Sequence, residues 1–234
     1  MRADHTQLIF LSQHIVMSSS TVPNYKLHVL CAYLNRKAYI HKSNQNVYHH
    51  NYKGTDIVTF RGTSNVKQLG YSLHLWENSE NIHDGYFRYT QECKELMLGM
   101  GLDMRKKMVF TGHSIGGIAA VLIANELNID AEVVLFGSPR LTTIDFKETI
   151  NGNTHLDIYN YVNDKDVIAK YPFIYYDHVK EPIYLETAQQ YKNPLTYHSM
   201  RTYGFNIMKM KRESILDTTD RDKTNPFHAY LDIN

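Results

Sequence analysis

Apolar and polar positions along the chain follow two rhythms. Four short runs rich in β-branched and aromatic residues read as strands: Thr55–Phe60, Lys107–Thr111, Ala131–Phe136 and Asp157–Val162. Each stops at turn-forming residues, respectively Arg61-Gly62-Thr63, Gly112, Gly137-Ser138-Pro139 and Asn163-Asp164-Lys165-Asp166. Other segments carry helical spacing. Leu27, Leu30, Tyr33 and Leu34 predict a helix from about Asn24 to Ile40, and a second is expected from about Gly85 to Arg105. Ala119, Ala120, Leu122, Ile123 and Leu127 share one face of a helix running from Ile115 to Leu127. Strands alternating with helices predict βαβ units, hence an α/β fold with a mostly parallel central sheet and helices on both faces. No internal repeat or low-complexity linker interrupts the 234 residues, so a single domain is expected over 1–234. The stretch 211–234, rich in Asp, Lys, Arg and Thr, reads as a frayed helix end followed by a loosely packed polar tail.

Composition narrows the class. Hydrophobic residues make up 43% and charged residues 21%, ordinary globular usage that argues against disorder as the main state. With 25 basic against 24 acidic residues the formal charge is +1, too weak a field for nucleic acid to be an expected partner. Cys31 and Cys93 lie far apart, and so few cysteines fit a reducing compartment. The N-terminal apolar run breaks at Ser12-Gln13-His14, too early for a signal-peptide core. No stretch approaches the roughly 20 apolar residues of a membrane span. A soluble, intracellular protein of the cytoplasm is therefore expected.

Gly112-His113-Ser114-Ile115-Gly116 carries the chemistry. It sits between a predicted strand and a predicted helix, where it resembles the nucleophile elbow of the α/β-hydrolases, G-x-S-x-G. A sharp turn there holds the serine in a strained conformation with its hydroxyl presented, and side chains two positions to either side would collide. The Ile115 N–H at the helix start is free to donate to an oxyanion. Serine is a poor nucleophile alone, so a histidine has to take its proton and a carboxylate has to orient that histidine. In this fold the acid follows the serine and the histidine follows the acid. Asp164 and Asp166 both lie just past a strand, and His178, His198 and His228 follow them. Spacing alone leaves these alternatives open.

Six further elements form a resemblance to the class-three, fungal-type lipases. Phe60-Arg61-Gly62-Thr63 is similar to that family's F-R-G-[ST] oxyanion segment, and His83-Asp84-Gly85-Tyr86 to its H-x-G-F/Y element. Gly112-His113-Ser114-Ile115-Gly116-Gly117 differs from its G-H-S-L-G-G by one residue, and Phe136-Gly137-Ser138-Pro139-Arg140 resembles its F-G-x-P-R. Asn163-Asp164-Lys165-Asp166-Val167-Ile168 resembles its acid loop. His178-Val179 with Ile183-Tyr184 resembles the strand before the final histidine, and His198-Ser199-Met200 with Tyr203 the histidine motif itself. The order matches across roughly residues 55–205. The chain departs from the family at Gln68-Leu69, at Leu141-Thr142-Thr143 and at Ile168-Ala169, where Asp/Asn-Trp, Val-Gly-Asn and Val-Pro are usual.

The resemblance implies an α/β-hydrolase with Ser114 as nucleophile, Asp166 as acid and His198 as base. His228 is a second candidate for the base, because Phe227-His228-Ala229-Tyr230 matches some versions of the motif. Thr63 and Ile115 are implied as oxyanion donors. Leu69, Leu73 and Trp76 stand at i, i+4 and i+7 where the family carries its lid, which predicts transient contact with a lipid interface. Expected is a serine hydrolase of carboxylic esters, with a lipid ester as substrate partner. An acyltransferase using the same triad and a non-catalytic lipid-binding module are the alternatives. No cofactor is required, and His41, His49 and His50 lack ligand spacing, so no metal is expected. Arg61 and Arg140 suit either an acidic head group or ion pairs that fix the oxyanion loop.

Overall fold

A computed structural model of the chain describes residues 23–43, 45–63, 84–172 and 176–217. Leu69, Leu73 and Trp76 of the expected lid, His83 and His228 lie outside them.

The first helix, α1 (Tyr25–Ile40), is capped by the Asn24 side chain, which accepts from the Leu27 N–H at 3.3 Å. A hairpin follows, β1 (Val47–Tyr52) and β2 (Thr55–Phe60), joined by Lys53 and Gly54. Both turn residues have positive φ (52° and 83°), the geometry that matches a two-residue turn to the twist of its strands. Then come α2 (Asp84–Leu98), β3 (Met108–His113), α3 (Ile115–Leu127), β4 (Ala131–Phe136), α4 (Ile144–Gly152), β5 (Leu156–Asn163), β6 (Ile183–Leu185) and α5 (Met200–Asp217).

The six described strands form one sheet in the order β1-β2-β3-β4-β5-β6, antiparallel only at the β1–β2 edge. Spatial order equals chain order, and that has a consequence. Right-handed crossovers that advance without reversing place their helices on one face. Accordingly α2, α3 and α4 pack together on one side, where Tyr86, Cys93, Met97 and Ile150 meet Val58, Phe60, Phe110, Val133 and Leu135. The opposite face is left for the ends of the described fold. There α1 and α5 close over Ile57, Val109, Val134 and Phe136 with Val29, Cys31, Leu34, Met200, Tyr203 and Ile207. Neighbouring residues of β2, β3 and β4 thus alternate between two cores, which is why these strands read as continuous apolar runs.

α3 lies between sheet and helices and is buried all round from Ile115 to Ala124. The second expected helix stops earlier than predicted: α2 ends at Leu98, followed by Gly99 and by Gly101 at φ 66°. At the far end, α5 runs through Asp217 and takes in the first residues of the expected tail, with Lys211 buried. No helix of the described residues is long and apolar enough to cross a membrane.

Candidate active site

The C-terminal ends of β2, β3, β4 and β5 gather at one edge of the sheet, and the site is built there. Between β3 and α3 the chain turns through Ser114 at φ 57°, ψ −131°, a backbone conformation costing on the order of 1–3 kcal/mol for a residue with a side chain. Two glycines make that turn possible. A Cβ on Gly112 would strike the Gly116 carbonyl, and a Cβ on Gly116 would strike the Phe60 carbonyl. Ser114 is held by its own N–H, which donates to the Phe136 carbonyl at 3.0 Å. Its Oγ is buried and has no hydrogen-bond partner among the described residues.

Asp166 and His198 meet at the same edge. His198 Nδ1 lies 2.7 Å from Asp166 Oδ2, with both side chains buried. The carboxylate is saturated: Oδ2 also accepts from the Tyr203 hydroxyl at 2.6 Å, and Oδ1 from the N–H groups of Ile168 (2.9 Å) and Ala169 (3.2 Å). Where the family has proline, Ala169 supplies an N–H that proline lacks. Burial alone would raise the Asp166 pKa. The charge of His198 and the hydrogen bonds from His198, Tyr203 and Ala169 outweigh it and hold the carboxyl below its ordinary value. His198 Nε2 is buried without a partner among the described residues.

A second layer of polar side chains fixes this pair. Tyr203 Oη accepts from the Asn163 N–H at 3.1 Å while donating to Asp166. Asn163 Nδ2 donates to the Tyr197 carbonyl at 2.7 Å, and Asn206 Nδ2 donates to Asn163 Oδ1 at 2.8 Å. The loop carrying the acid and the loop carrying the histidine are thereby tied together. Ser199 Oγ accepts from the Thr202 N–H at 3.3 Å and starts α5 directly after His198. Gly137, at φ 57°, is needed because a Cβ there would sit 2.8 Å from Tyr203 Oη. Removing the hydroxyl in Tyr203→Phe is expected to cost about 1.5–3 kcal/mol of stability. If about 1.4 kcal/mol of that is orientation of Asp166 felt in the transition state, kcat falls about tenfold with KM held. Steady-state kinetics with a urea titration checks both, and an unchanged kcat removes the orienting role.

His113 does not face the substrate side of the elbow. Its Nε2 lies 2.7 Å from the His198 carbonyl, and since a carbonyl only accepts, Nε2 carries the hydrogen. The neutral ring then accepts at Nδ1 from the Tyr39 hydroxyl at 2.6 Å. Burial, followed by the charge of His198, lowers the His113 pKa to about 3, so the ring stays neutral. Tyr39 on α1 thus reaches the backbone of His198 through the residue next to Ser114.

The other expected site residues separate clearly. Gly62, just before Thr63, packs against the serine, its Cβ position 3.0 Å from Ser114 Cβ. Thr63 therefore follows β2 beside the elbow, half-buried, and Ile115 opens α3 with its N–H beyond the reach of an intrahelical bond. Asp164 points away from the histidine, and its Oδ1 accepts from the Thr187 N–H at 3.1 Å. His178 is buried beside Asp177 and Arg140, and no bond joins it to Asp166. Arg61 is buried and holds the segment leading to Thr63: its N–H donates to the Asn46 carbonyl at 2.8 Å, and the Tyr89 hydroxyl donates to its carbonyl. That matches a loop-fixing role more closely than a head-group site. The Arg140 N–H donates to the Tyr171 carbonyl at 2.9 Å. His49 lies 2.8 Å from Asp56 across the hairpin, far in sequence from the elbow.

This sheet, with an elbow serine at the end of its third strand and an acid–histidine pair beside it, defines the α/β-hydrolase fold. Within that class the chain belongs to the class 3 lipase family, whose pattern matches residues 57–176, just over half of its length. Over 156 residues it is 29% identical to phospholipase A1-IIalpha of Arabidopsis thaliana, a match covering 56% of this chain and 36% of that protein. The chain therefore spans only about a third of this curated relative. Among solved structures it resembles the Rhizomucor miehei lipase propeptide complex, with a TM-score of 0.60 and 18% identity over 72% of this chain and 69% of the other. The mono- and diacylglycerol lipase of Aspergillus oryzae superposes with a TM-score of 0.58 at 14% identity, covering 74% and 83%.

Proposed function

We propose that the chain is a serine hydrolase of lipid carboxylic esters, with Ser114 as nucleophile, His198 as general base and Asp166 as its orienting acid. One observation carries the reading. His198 is bonded at Nδ1 to a buried carboxylate and left with Nε2 open, at the sheet edge that holds a strained serine whose Oγ is also open.

In the proposed reaction Ser114 Oγ bonds to the ester carbonyl carbon as His198 Nε2 takes the hydroxyl proton. The carbonyl electron pair moves onto oxygen, where the N–H groups of Thr63 and Ile115 receive it; losing one such donor costs about 10²–10³ in rate. Collapse of the tetrahedral species breaks the bond to the alkoxy oxygen, which leaves as the alcohol with the proton from Nε2. Water then attacks the acyl-enzyme by the same steps, its proton passing through His198 to Ser114, and the carboxylic acid departs. Asp166 stays ionised throughout and balances the imidazolium. Membership of the class 3 lipases and the likeness to a phospholipase A1 favour a long-chain lipid ester, so diacyl phospholipid is the first natural substrate to offer.

A fluorophosphonate probe tests the nucleophile. The expected result is a single adduct on the Ser114 peptide, with hydrolysis of p-nitrophenyl butyrate lost in proportion to labelling. A folded sample that takes no probe, or takes it at another residue, overturns the assignment. Release of free fatty acid, rather than transfer to an added alcohol, separates hydrolase from acyltransferase.

A further inference from the structure

The two helices that cover the second face of the sheet share an unusual charge pattern. α1 carries Lys26, Arg36 and Lys37 and no acidic residue. α5 carries Arg201, Lys209, Lys211 and Arg212 before its first acid, Glu213. In a chain whose net charge is only +1, this is a concentrated cationic face. Lys209 is drawn to Glu186 at 3.0 Å and Lys211 is buried. Arg36, Lys37, Arg201 and Arg212 are exposed and make no ion pair among the described residues.

Apolar side chains are interleaved with these charges. Arg201, Phe205, Met208 and Arg212 follow one stripe of α5, and Tyr33, Arg36, Lys37 and Ile40 follow one stripe of α1. Phe205 is 61% exposed and Ile40 76%. Between the stripes runs a groove lined by Ala32, Tyr33, Arg36, Gly204, Phe205 and Met208. Gly204 leaves its floor open, since a Cβ there would meet nothing within 4 Å. The patch reaches the catalytic edge. α1 ends beside Tyr39, which bonds His113, and α5 begins two residues after His198. On the loops that carry Asp166 and His198, Val167 (47%) and Leu195 (40%) are exposed as well.

We propose that the outer faces of α1 and α5 dock the protein on a bilayer containing anionic phospholipid, with the catalytic edge turned towards the lipid. Arginines set among exposed aromatic and aliphatic side chains suit the interface, where guanidinium groups meet phosphates and apolar groups enter the acyl boundary. A nucleic acid or acidic protein calls for a broad positive field without the apolar component, which this chain does not have. The docking assignment stands on the surface itself; its use, delivery of ester to Ser114, rests on the reading under Proposed function.

Co-sedimentation of the full chain with vesicles tests it, comparing phosphatidylcholine alone with phosphatidylcholine mixed with phosphatidylglycerol. The chain is expected to partition onto the mixed vesicles and to be released by salt. Arg36→Glu combined with Arg201→Glu is expected to lower that partition by on the order of tenfold or more, with hydrolysis of soluble p-nitrophenyl butyrate unchanged. Gly204→Glu, which places a negative charge in the open groove on a residue better suited to a helix, should act in the same direction without a folding cost. Equal binding by these variants and the parent, or equal binding to neutral and anionic vesicles, overturns the proposal. So does a parent dimer in light scattering that the same substitutions dissociate, because the face then belongs to a second copy. Anionic-vesicle binding that needs Arg36 and Arg201 in a chain with no ester hydrolysis upholds the docking surface and removes the enzymatic reading.

Discussion

Asp166→Asn is expected to lower kcat by about 10⁴ while leaving a folded protein. The hydrogen-bond pattern dictates the result. Oδ1 accepts from two backbone N–H groups, those of Ile168 and Ala169, so the amide oxygen of asparagine has to occupy that position. The amide NH₂ then falls where Oδ2 was, 2.7 Å from His198 Nδ1. Two donors cannot face each other, so the imidazole has to release the hydrogen at Nδ1 and carry it on Nε2. That tautomer has no lone pair left for the Ser114 proton. The same NH₂ meets the Tyr203 hydroxyl, which has to turn from donor to acceptor, a change open to it because its oxygen already accepts from Asn163. Shape is therefore preserved while the base is disabled. Steady-state kinetics on p-nitrophenyl butyrate with a matched thermal melt measures both. A loss of less than about tenfold in a folded sample would remove Asp166 as the orienting acid. The corresponding change at Asp164, Asp164→Asn, is expected to leave kcat within about twofold, because that side chain accepts from Thr187 and not from His198.

These atoms explain which parts of the molecule were legible in the sequence. The buried parallel strands announced themselves as apolar runs, and α3 as a helix apolar enough to be enclosed. The elbow was legible because its two glycines answer to backbone collisions, a constraint that leaves a mark at fixed spacing. β1 was not legible: it is an edge strand with only Val47 buried, so Tyr48 to Tyr52 carry no core-facing signal. α4 was missed for a similar reason, its described core contribution coming from Ile150 and partly from Phe146. Of the expected apolar stripe on α1, Leu34 is buried but Leu27, Leu30 and Tyr33 are only half-buried, while His28 and Asn35 are buried completely. His28 lies 2.7 Å from Glu132 and 2.6 Å from the Tyr161 hydroxyl, and Asn35 donates to Thr111 Oγ1 at 2.8 Å. Polar residues bonded to partners 76 to 133 positions away leave no local pattern to read. The same holds within the site. Motif order favoured Asp166 over Asp164, but the roles of Tyr39, Asn163, Tyr203 and Asn206 depend on contacts between distant segments. Asn163 and Tyr203 carried a hint, the first opening the acid-loop motif and the second standing five positions after His198 within the histidine motif.

Acid is expected to weaken the fold from about pH 6.5 downward, before most carboxylates protonate, because two histidines are buried in neutral form. Burial and then the charge of His198 depress His113 from 6.5 to about 3. Burial and then Arg140 depress His178 from 6.5 to about 4. Between pH 6.5 and these values the unfolded chain binds protons that the folded chain refuses, so stability falls as pH falls. Each such group contributes about 1.4 kcal/mol per pH unit inside its window. Both windows are open from 6.5 down to about 4, which gives a loss of about 7 kcal/mol, a large share of the 5–15 kcal/mol that holds a typical domain together. Below pH 4 only His113 continues. There Asp166 begins to act in the same direction, since its depressed pKa makes a contribution that is present above the ordinary carboxyl value and disappears as the folded carboxyl takes up its proton. Urea midpoints measured from pH 7 down to 4.5 should therefore drop steeply. His178→Gln, which cannot titrate, should remove about half of the slope while His113 keeps the rest. A parent whose midpoint is flat over that range, or a His178→Gln variant with the parent's slope, contradicts the neutral burial of that ring.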